Sequence, residues 1–197
     1  MPDFIDNAQN HSTRPAQWGS SIVLACLLLM VSTVYSASMR FESAGTYVKN
    51  NTYYLDSFAR LDLGDAPAKA LANGVELYFL VEIAVHKNRR WWIDTPVIER
   101  RLRYRLYYYD LTRHYRVENM QSGKSTNFRS LAAALRKLGR LNQYALMPVT
   151  QIDERDSYTA SIKVELDRTR LPGPLMAQAL VSKEWQLESE VFRWLLN

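Results

Sequence analysis

The clearest pattern in this chain is a strict alternation of apolar and polar residues. The segment VELYFLVEIAV at 75–85 places apolar side chains on one face and Glu76 and Glu82 on the other. YTASIKVELD at 158–167 alternates in the same way, and YYLDSFARLDL at 53–63 is a weaker version. Because successive side chains of a strand point to opposite faces, these segments are predicted to be half-buried strands of an antiparallel sheet.

Two short segments follow a helical period instead. DAPAKALANG at 65–74 begins with a capping aspartate and an early proline and stops at an Asn-Gly pair. FRSLAAALRKLG at 128–139 places three leucines on one stripe and ends at a glycine. Each predicted helix packs one narrow face on the sheet.

Three further segments complete the predicted fold. NMQSGKS at 119–125 predicts a hairpin turn, and RLPGPL at 170–175 predicts a loop held by its two prolines. EWQLESEVFRWLL at 184–196 is predicted to be a strand, because tryptophan, valine and phenylalanine suit a pleated surface. The fold class is therefore mainly β: a single antiparallel β-sandwich-like domain with two short helices, preceded by an N-terminal signal or anchor helix.

The amino-terminal segment has a different character. No side chain from Pro15 to Met39 is charged, and IVLACLLLMV at 22–31 is continuously apolar. Ten apolar residues are typical of a signal peptide, and the small residues that follow suit cleavage at Ser36 or Ser38. The whole uncharged run is 25 residues, which equally suits an uncleaved anchor.

Both interpretations of this leader place the rest of the chain in the same compartment. We expect residues 1–38 to be a signal peptide or single membrane anchor that contacts the inner membrane through 18–38, and 39–197 to be a β-rich extracytoplasmic domain. The domain would then face the periplasm from the bacterial inner membrane, or lie free in the periplasm after cleavage. The near balance of charges on the two sides of the apolar run leaves the orientation itself weakly specified.

The net charge of +5 is concentrated in one part of the sequence. Residues 87–116 contain nine Lys or Arg against three acidic residues. Within them, RRLRYRLYYYDL at 100–111 predicts a strand with Leu102 and Leu106 facing inward and alternate arginines facing outward. Together with the arginines and tryptophans of NRRWWIDTP at 88–96, these define a predicted interaction patch: Arg89, Arg90, Trp91, Trp92, Arg101, Arg103 and Arg105.

Three roles remain open for this patch. Its arginines can pair with Glu76 and Glu82 on the preceding strand, dock to an acidic partner, or bind an anionic lipid or envelope polymer. Basic residues interleaved with aromatic ones also suit nucleic acid. We expect no nucleic acid partner, because an exported domain meets neither chromosome nor transcript.

No residue pattern indicates catalysis. The three histidines, His11, His86 and His114, lack the spacing of metal ligands on one helix, and the single Cys26 excludes an intramolecular disulfide and a cysteine-rich zinc site. Nucleophile-elbow and phosphate-loop motifs are absent from the sequence. We therefore expect no catalytic residues, no cofactor and no metal, with a hydrolase of unfamiliar type as the remaining alternative.

Several motifs occur together in the order of a known bacterial family. They are YYLDSFARLDL, ALANGVELYF, RRWWID, YRLYYYDLTRHYRV, LAAALRKLG, LPGPLMAQAL and WQLESEVFRW. From about residue 52 to the end, the chain resembles the envelope family called domain of unknown function 4390. The resemblance implies a proteobacterial envelope protein often encoded near a nitrogen-regulation-type sensor kinase, and it supplies no catalytic residues.

These observations favour a non-catalytic binding or accessory domain at the bacterial envelope. A membrane sensor kinase is the first partner that we expect, contacted through the predicted interaction patch. Recognition of an anionic lipid or envelope polymer through the same patch is the alternative.

Overall fold

A computed structural model describes residues 38–88 and 96–196. These residues are mainly β and form two antiparallel sheets with three α-helices. The strands are β1 (Ser38–Lys49), β2 (Thr52–Asp62), β3 (Leu77–Lys87), β4 (Pro96–Tyr109), β5 (His114–Asn119), β6 (Ser125–Phe128), β7 (Arg140–Pro148), β8 (Tyr158–Leu166) and β9 (Phe192–Leu195). The helices are α1 (Asp65–Ala72), α2 (Leu131–Leu138) and α3 (Gly173–Val181). The predicted leader lies outside the described residues, except for Ser38.

The larger sheet has six strands in the order β6-β5-β4-β3-β8-β9. Its centre follows directly from the alternating sequence, because every second residue of β3 and β8 is buried. Val81 of β3 lies opposite Leu102 of β4 on one side and Val164 of β8 on the other. The predicted strands at 75–85 and 158–167 are thus confirmed, with boundaries shifted by one or two residues.

The smaller sheet has three strands in the order β1-β2-β7. β1 and β2 are joined by Asn50 and Asn51, whose φ angles of 49° and 59° are both in the left-handed region. Asparagine tolerates this region better than most residues, and two such residues in succession make the tight turn that suits the twist of a hairpin. β2 confirms the predicted strand at 53–63, whereas β1 and β7 were not predicted.

One hydrophobic core includes residues of both sheets. Phe79, Leu106 and Ile162 of the six-stranded sheet and Leu55 and Leu146 of the three-stranded sheet are almost completely buried. Tyr104 and Tyr108 pack against the same core from β4, as the predicted inward face requires. Two of the four tyrosines in the basic segment therefore serve packing.

The seam between β1 and β9 brings together strands that are far apart in the sequence. The indole Nε1 of Trp194 donates a hydrogen bond to Thr46 Oγ1 at 3.3 Å. The rings of Phe41 and Phe192 lie 6.4 Å apart in the same seam. The last strand of the described chain thus closes against the first.

The two predicted helices are present, but a third helix makes the predicted count of two wrong. α3 begins within the segment that was predicted to be a proline-held loop. Pro172 precedes the helix and Pro174 lies in its first turn. Proline is accepted there because the first N–H groups of a helix have no intrahelical partner to lose.

The predicted strand at 184–196 is only partly correct. A 3-10 turn spans Lys183–Trp185, and regular pairing is confined to β9. Between them, the N–H of Val164 donates to Ser189 Oγ at 3.0 Å, and the N–H of Ser189 donates to the Val164 carbonyl at 2.8 Å. The register slips by one residue between the Glu165–Glu188 bridge and β9, so a side-chain oxygen replaces a regular ladder acceptor.

Two buried serines give opposite predictions. Ser57 Oγ has no hydrogen-bond partner among the described residues, whereas Ser189 Oγ accepts the Val164 N–H. We expect Ser57→Ala to raise the free energy of unfolding by about 1 kcal/mol, because it removes a desolvated hydroxyl. Ser189→Ala should lower the free energy of unfolding by about 1–3 kcal/mol, because the buried N–H of Val164 then loses its acceptor. Urea unfolding measures both, and equal changes of the same sign would contradict this account.

Candidate anion-binding surface

The outer face of the six-stranded sheet carries the predicted arginines. β4 buries Leu102 and Leu106 on its inner face, so Arg101, Arg103 and Arg105 lie on the opposite side. Arg89, Arg90, Trp91 and Trp92, the other predicted patch residues, lie outside the described residues. The structure therefore places three of the seven patch residues, the arginines of β4.

Arg101 is held by two glutamates. Its Nε lies 3.1 Å from Glu82 Oε1 on β3, and its Nη2 lies 2.7 Å from Glu99 Oε1 on its own strand. Glu82 and Arg101 are directly opposite in the β3–β4 register. The predicted cross-strand pairing with Glu82 is confirmed.

Arg105 is also held by two glutamates, on strands to either side. Its Nη2 lies 2.6 Å from Glu118 Oε2 on β5, and its Nη1 lies 3.2 Å from Glu76 Oε1 just before β3. The hydrogen bonds that Arg105 donates to Glu118 and the charge of Glu76 raise the pKa of the Arg105 guanidinium. The predicted contact with Glu76 is confirmed. The two carboxylates offset the positive charge of Arg105, which leaves little of that charge for a partner.

Arg103 differs from its two neighbours. Its backbone N–H donates to Gln121 Oε1 at 3.1 Å, but within residues 38–88 and 96–196 its side chain makes no ion pair. It is exposed and lies opposite Leu80 of β3. Of the three arginines that the structure places, Arg103 is the one whose guanidinium is not neutralised by a described carboxylate.

A second group of cationic and aromatic side chains lies further along the same face. Tyr107 is buried there, outside the main core, with the Arg105 and Arg116 guanidinium carbons 4.6 and 5.9 Å from its ring centroid. The Tyr109 ring packs edge-on against Tyr107 at 5.0 Å. Sequence reasoning did not single out Arg116, although alternation in HYRVEN places His114 and Arg116 on one face.

Arg116 is fixed by neutral groups rather than by an acid. Its Nε donates to Asn127 Oδ1 at 2.7 Å, and its Nη1 donates to Tyr107 Oη at 3.3 Å. Its guanidinium carbon also lies 5.1 Å from the centre of the Tyr109 ring. The guanidinium is therefore oriented with its full positive charge retained.

Arg116 borders a surface pocket of 420 Å³ at the turn between β4 and β5. The His114 Nδ1 contacts the Thr112 carbonyl oxygen. Among the residues that the structure describes, two guanidinium groups and an imidazole border the pocket, and no carboxylate does. The lining residues are Tyr109, Thr112, His114, Arg116, Asn127 and Arg129. We call this the hairpin pocket; its chemistry suits an anion.

A sequence profile of one protein family matches residues 36–195, described as Domain of unknown function (DUF4390), a range that contains every strand and helix above. The chain belongs to the DUF4390 family. The resemblance noted from the sequence motifs is thereby confirmed. No curated protein and no solved structure matches this DUF4390 chain.

The carboxylates of the DUF4390 domain are mostly engaged in ion pairs. Glu82 and Glu99 border a cavity of 280 Å³, and both contact Arg101. Lys163 bridges Glu165 at 2.9 Å and Glu188 at 2.7 Å, which lowers the pKa of Glu188. General acid catalysis needs a carboxyl whose pKa is raised, so the Glu188 environment points the opposite way.

Over the described ranges, no group of three or more His, Cys, Asp or Glu side chains could hold a metal ion. No helix in the same ranges has the length and apolar character to cross a bilayer. A cavity of 540 Å³ between β2 and α2 is bordered mainly by apolar residues such as Phe58 and Leu131.

Proposed function

We propose that this chain is a non-catalytic binding domain of the bacterial envelope. Residues 1–38 act as a signal peptide or anchor, and a sandwich-like β domain follows them in the periplasm. The outer face of the six-stranded sheet docks an acidic surface of a membrane protein, with a sensor kinase as the expected partner. The domain requires no cofactor, metal or nucleic acid for this role.

The observation that carries the proposal is the contrast along β4. Arg101 and Arg105 are each held by two carboxylates, and Arg103 between them is exposed without an ion pair in the described ranges. Arginine is enriched among the residues that dominate binding energy, since its planar fork pairs two oxygens at once. Because the flanking arginines are already paired, Arg103 is the anchor that remains for an incoming carboxylate.

A photo-crosslinker at the position of Leu80 tests this role. Leu80 lies directly opposite Arg103 on the outer face, so the probe reports contacts there while Arg103 stays intact. With p-benzoylphenylalanine in place of Leu80 in living cells, we expect one discrete adduct with a membrane protein. Arg103→Glu should reduce that adduct at least about tenfold, the size expected of a binding hot spot.

The matched control is Arg136→Glu, which reverses an exposed charge on α2. It should leave the Leu80 adduct unchanged. An adduct that survives Arg103→Glu, or that falls equally with Arg136→Glu, would contradict the docking role. Protease access to a carboxyl-terminal tag in spheroplasts checks the compartment: a tag that stays protected there, although cell lysis exposes it, would refute the periplasmic assignment.

A further inference from the structure

The turn between β4 and β5 combines an exposed apolar side chain with the hairpin pocket. Leu111 lies in this turn and is 98% exposed. Tyr109, at the end of β4, is 42% exposed and forms one wall of the pocket. Single exposed leucines are common, so Leu111 gains meaning only from the groups that surround it.

Those groups are cationic. Arg116 and Arg129 border the pocket, and neither forms an ion pair within the part of the chain that the structure describes. Arg113 adds a third arginine in the turn itself, where its N–H donates to the Asp110 carbonyl at 3.2 Å. Asp110 is the one acidic residue of the turn, and its side chain does not border the pocket.

The geometry points to this turn as a docking site for an anionic phospholipid bilayer: Leu111 and Tyr109 enter the interface, and the hairpin pocket receives a headgroup phosphate. Guanidinium groups match phosphate oxygens through paired hydrogen bonds. A tyrosine ring with a polar end suits the headgroup level, and a leucine suits the acyl boundary beneath it. A soluble phosphate would gain nothing from Leu111, whereas a bilayer contacts the leucine and the arginines together.

This site is separate from the docking face around Arg103 and goes beyond the proposed function. A domain whose turn rests on the membrane would present the adjacent sheet face to a membrane protein. The two roles can nevertheless fail independently, because the crosslinker at Leu80 reports one and a probe at Leu111 reports the other.

The test uses the full chain incorporated into liposomes, with p-benzoylphenylalanine in place of Leu111. The liposomes contain phosphatidylcholine alone or with about 30% phosphatidylglycerol, enough to give an anionic surface. Lipid adducts are counted by mass spectrometry. We expect about fivefold more adduct at position 111 with phosphatidylglycerol, and about a fivefold loss on Arg129→Glu, whose side chain forms no hydrogen bond, ion pair or ring contact within residues 38–88 and 96–196.

A probe in place of Val181 is the matched control. Val181 is 82% exposed on α3, and the neighbouring Leu180 borders a cavity that contains Glu165, Asp167 and Glu188. Its adducts should not rise with phosphatidylglycerol. Equal labelling at 111 and 181, no dependence on phosphatidylglycerol, or an undiminished signal after Arg129→Glu would each overturn the proposal. Inorganic phosphate in excess should compete with the lipid headgroup. If it bound the chain and left the lipid adducts unchanged, the pocket would not be the headgroup site and the proposal would fail.

In cells, a protein adduct at 111 in place of the lipid adduct would identify an acidic protein as the occupant and would overturn the proposal.

Discussion

Gly139→Ala is expected to lower the free energy of unfolding by about 3 kcal/mol, the upper range for forcing an extra carbon into a packed site. Gly139 ends α2, and its carbonyl accepts the Ala59 N–H at 2.7 Å. A Cβ added there would lie 2.2 Å from the Ala59 carbonyl oxygen. Backbone atoms on both sides leave no flexible side chain to yield. Because the φ of Gly139 is −73°, the loss comes from the close approach and not from backbone conformation.

Gly45→Ala is the matched control for this substitution. Gly45 lies in β1, where a new Cβ would meet no atom within 4 Å. We expect its unfolding free energy to stay within about 0.5 kcal/mol of the unsubstituted chain, as at ordinary surface positions. Urea unfolding of both variants is the measurement. Equal losses at the two positions would show that glycine flexibility, rather than the α2–β2 contact, sets the effect.

Trp185→Ala is expected to destabilise the domain by about 3–5 kcal/mol, as large aromatic truncations in a core do. Trp185 ends the 3-10 turn after α3, and only 2% of its surface is exposed. Its turn contacts both α1 and α3, so its removal opens a cavity where these helices meet the core. The surrounding turn and helices can collapse only in part, which makes the cavity costly.

Val181→Ala serves as the control for this truncation, because Val181 is 82% exposed at the end of α3. It should change stability by less than about 0.5 kcal/mol. Thermal and urea unfolding both report the difference. A loss below about 1 kcal/mol for Trp185→Ala would mean that the contact of α1 and α3 around Trp185 opens independently of the rest of the domain.

The central strands were predictable because burial on one face imposes a period of two. β8 shows it over its whole length, and β3 shows it as far as His86. β1 does not: most of its residues are half-buried or exposed, so no alternation signals a strand. β7 is interrupted by Gln143, whose φ of 50° breaks the regular pleat where its N–H donates to Asp56 Oδ1. Strands such as β1 and β7 form because their backbones pair with β2, and their own apolar and polar residues do not alternate regularly enough to predict them.

The candidate surface was predictable to a similar degree. Alternation alone places Glu82 and Arg101 on the same face, and the expected pairing followed. The hairpin pocket required the register between β4 and β5, which sets Tyr107 opposite Arg116. It also required the position of Arg129 beyond β6. Sequence spacing does not fix how three consecutive strands bring such residues to one pocket.

The contact between the first and last strands bears on how the domain reaches its fold. Thr46 and Trp194 are separated by nearly the whole domain, so we expect their seam to close after the local hairpins have formed. During synthesis, Phe41 of β1 lacks its ring contact until Phe192 has been made. We therefore expect the fold to be complete only after β9, the strand nearest the carboxyl terminus, has packed against β1.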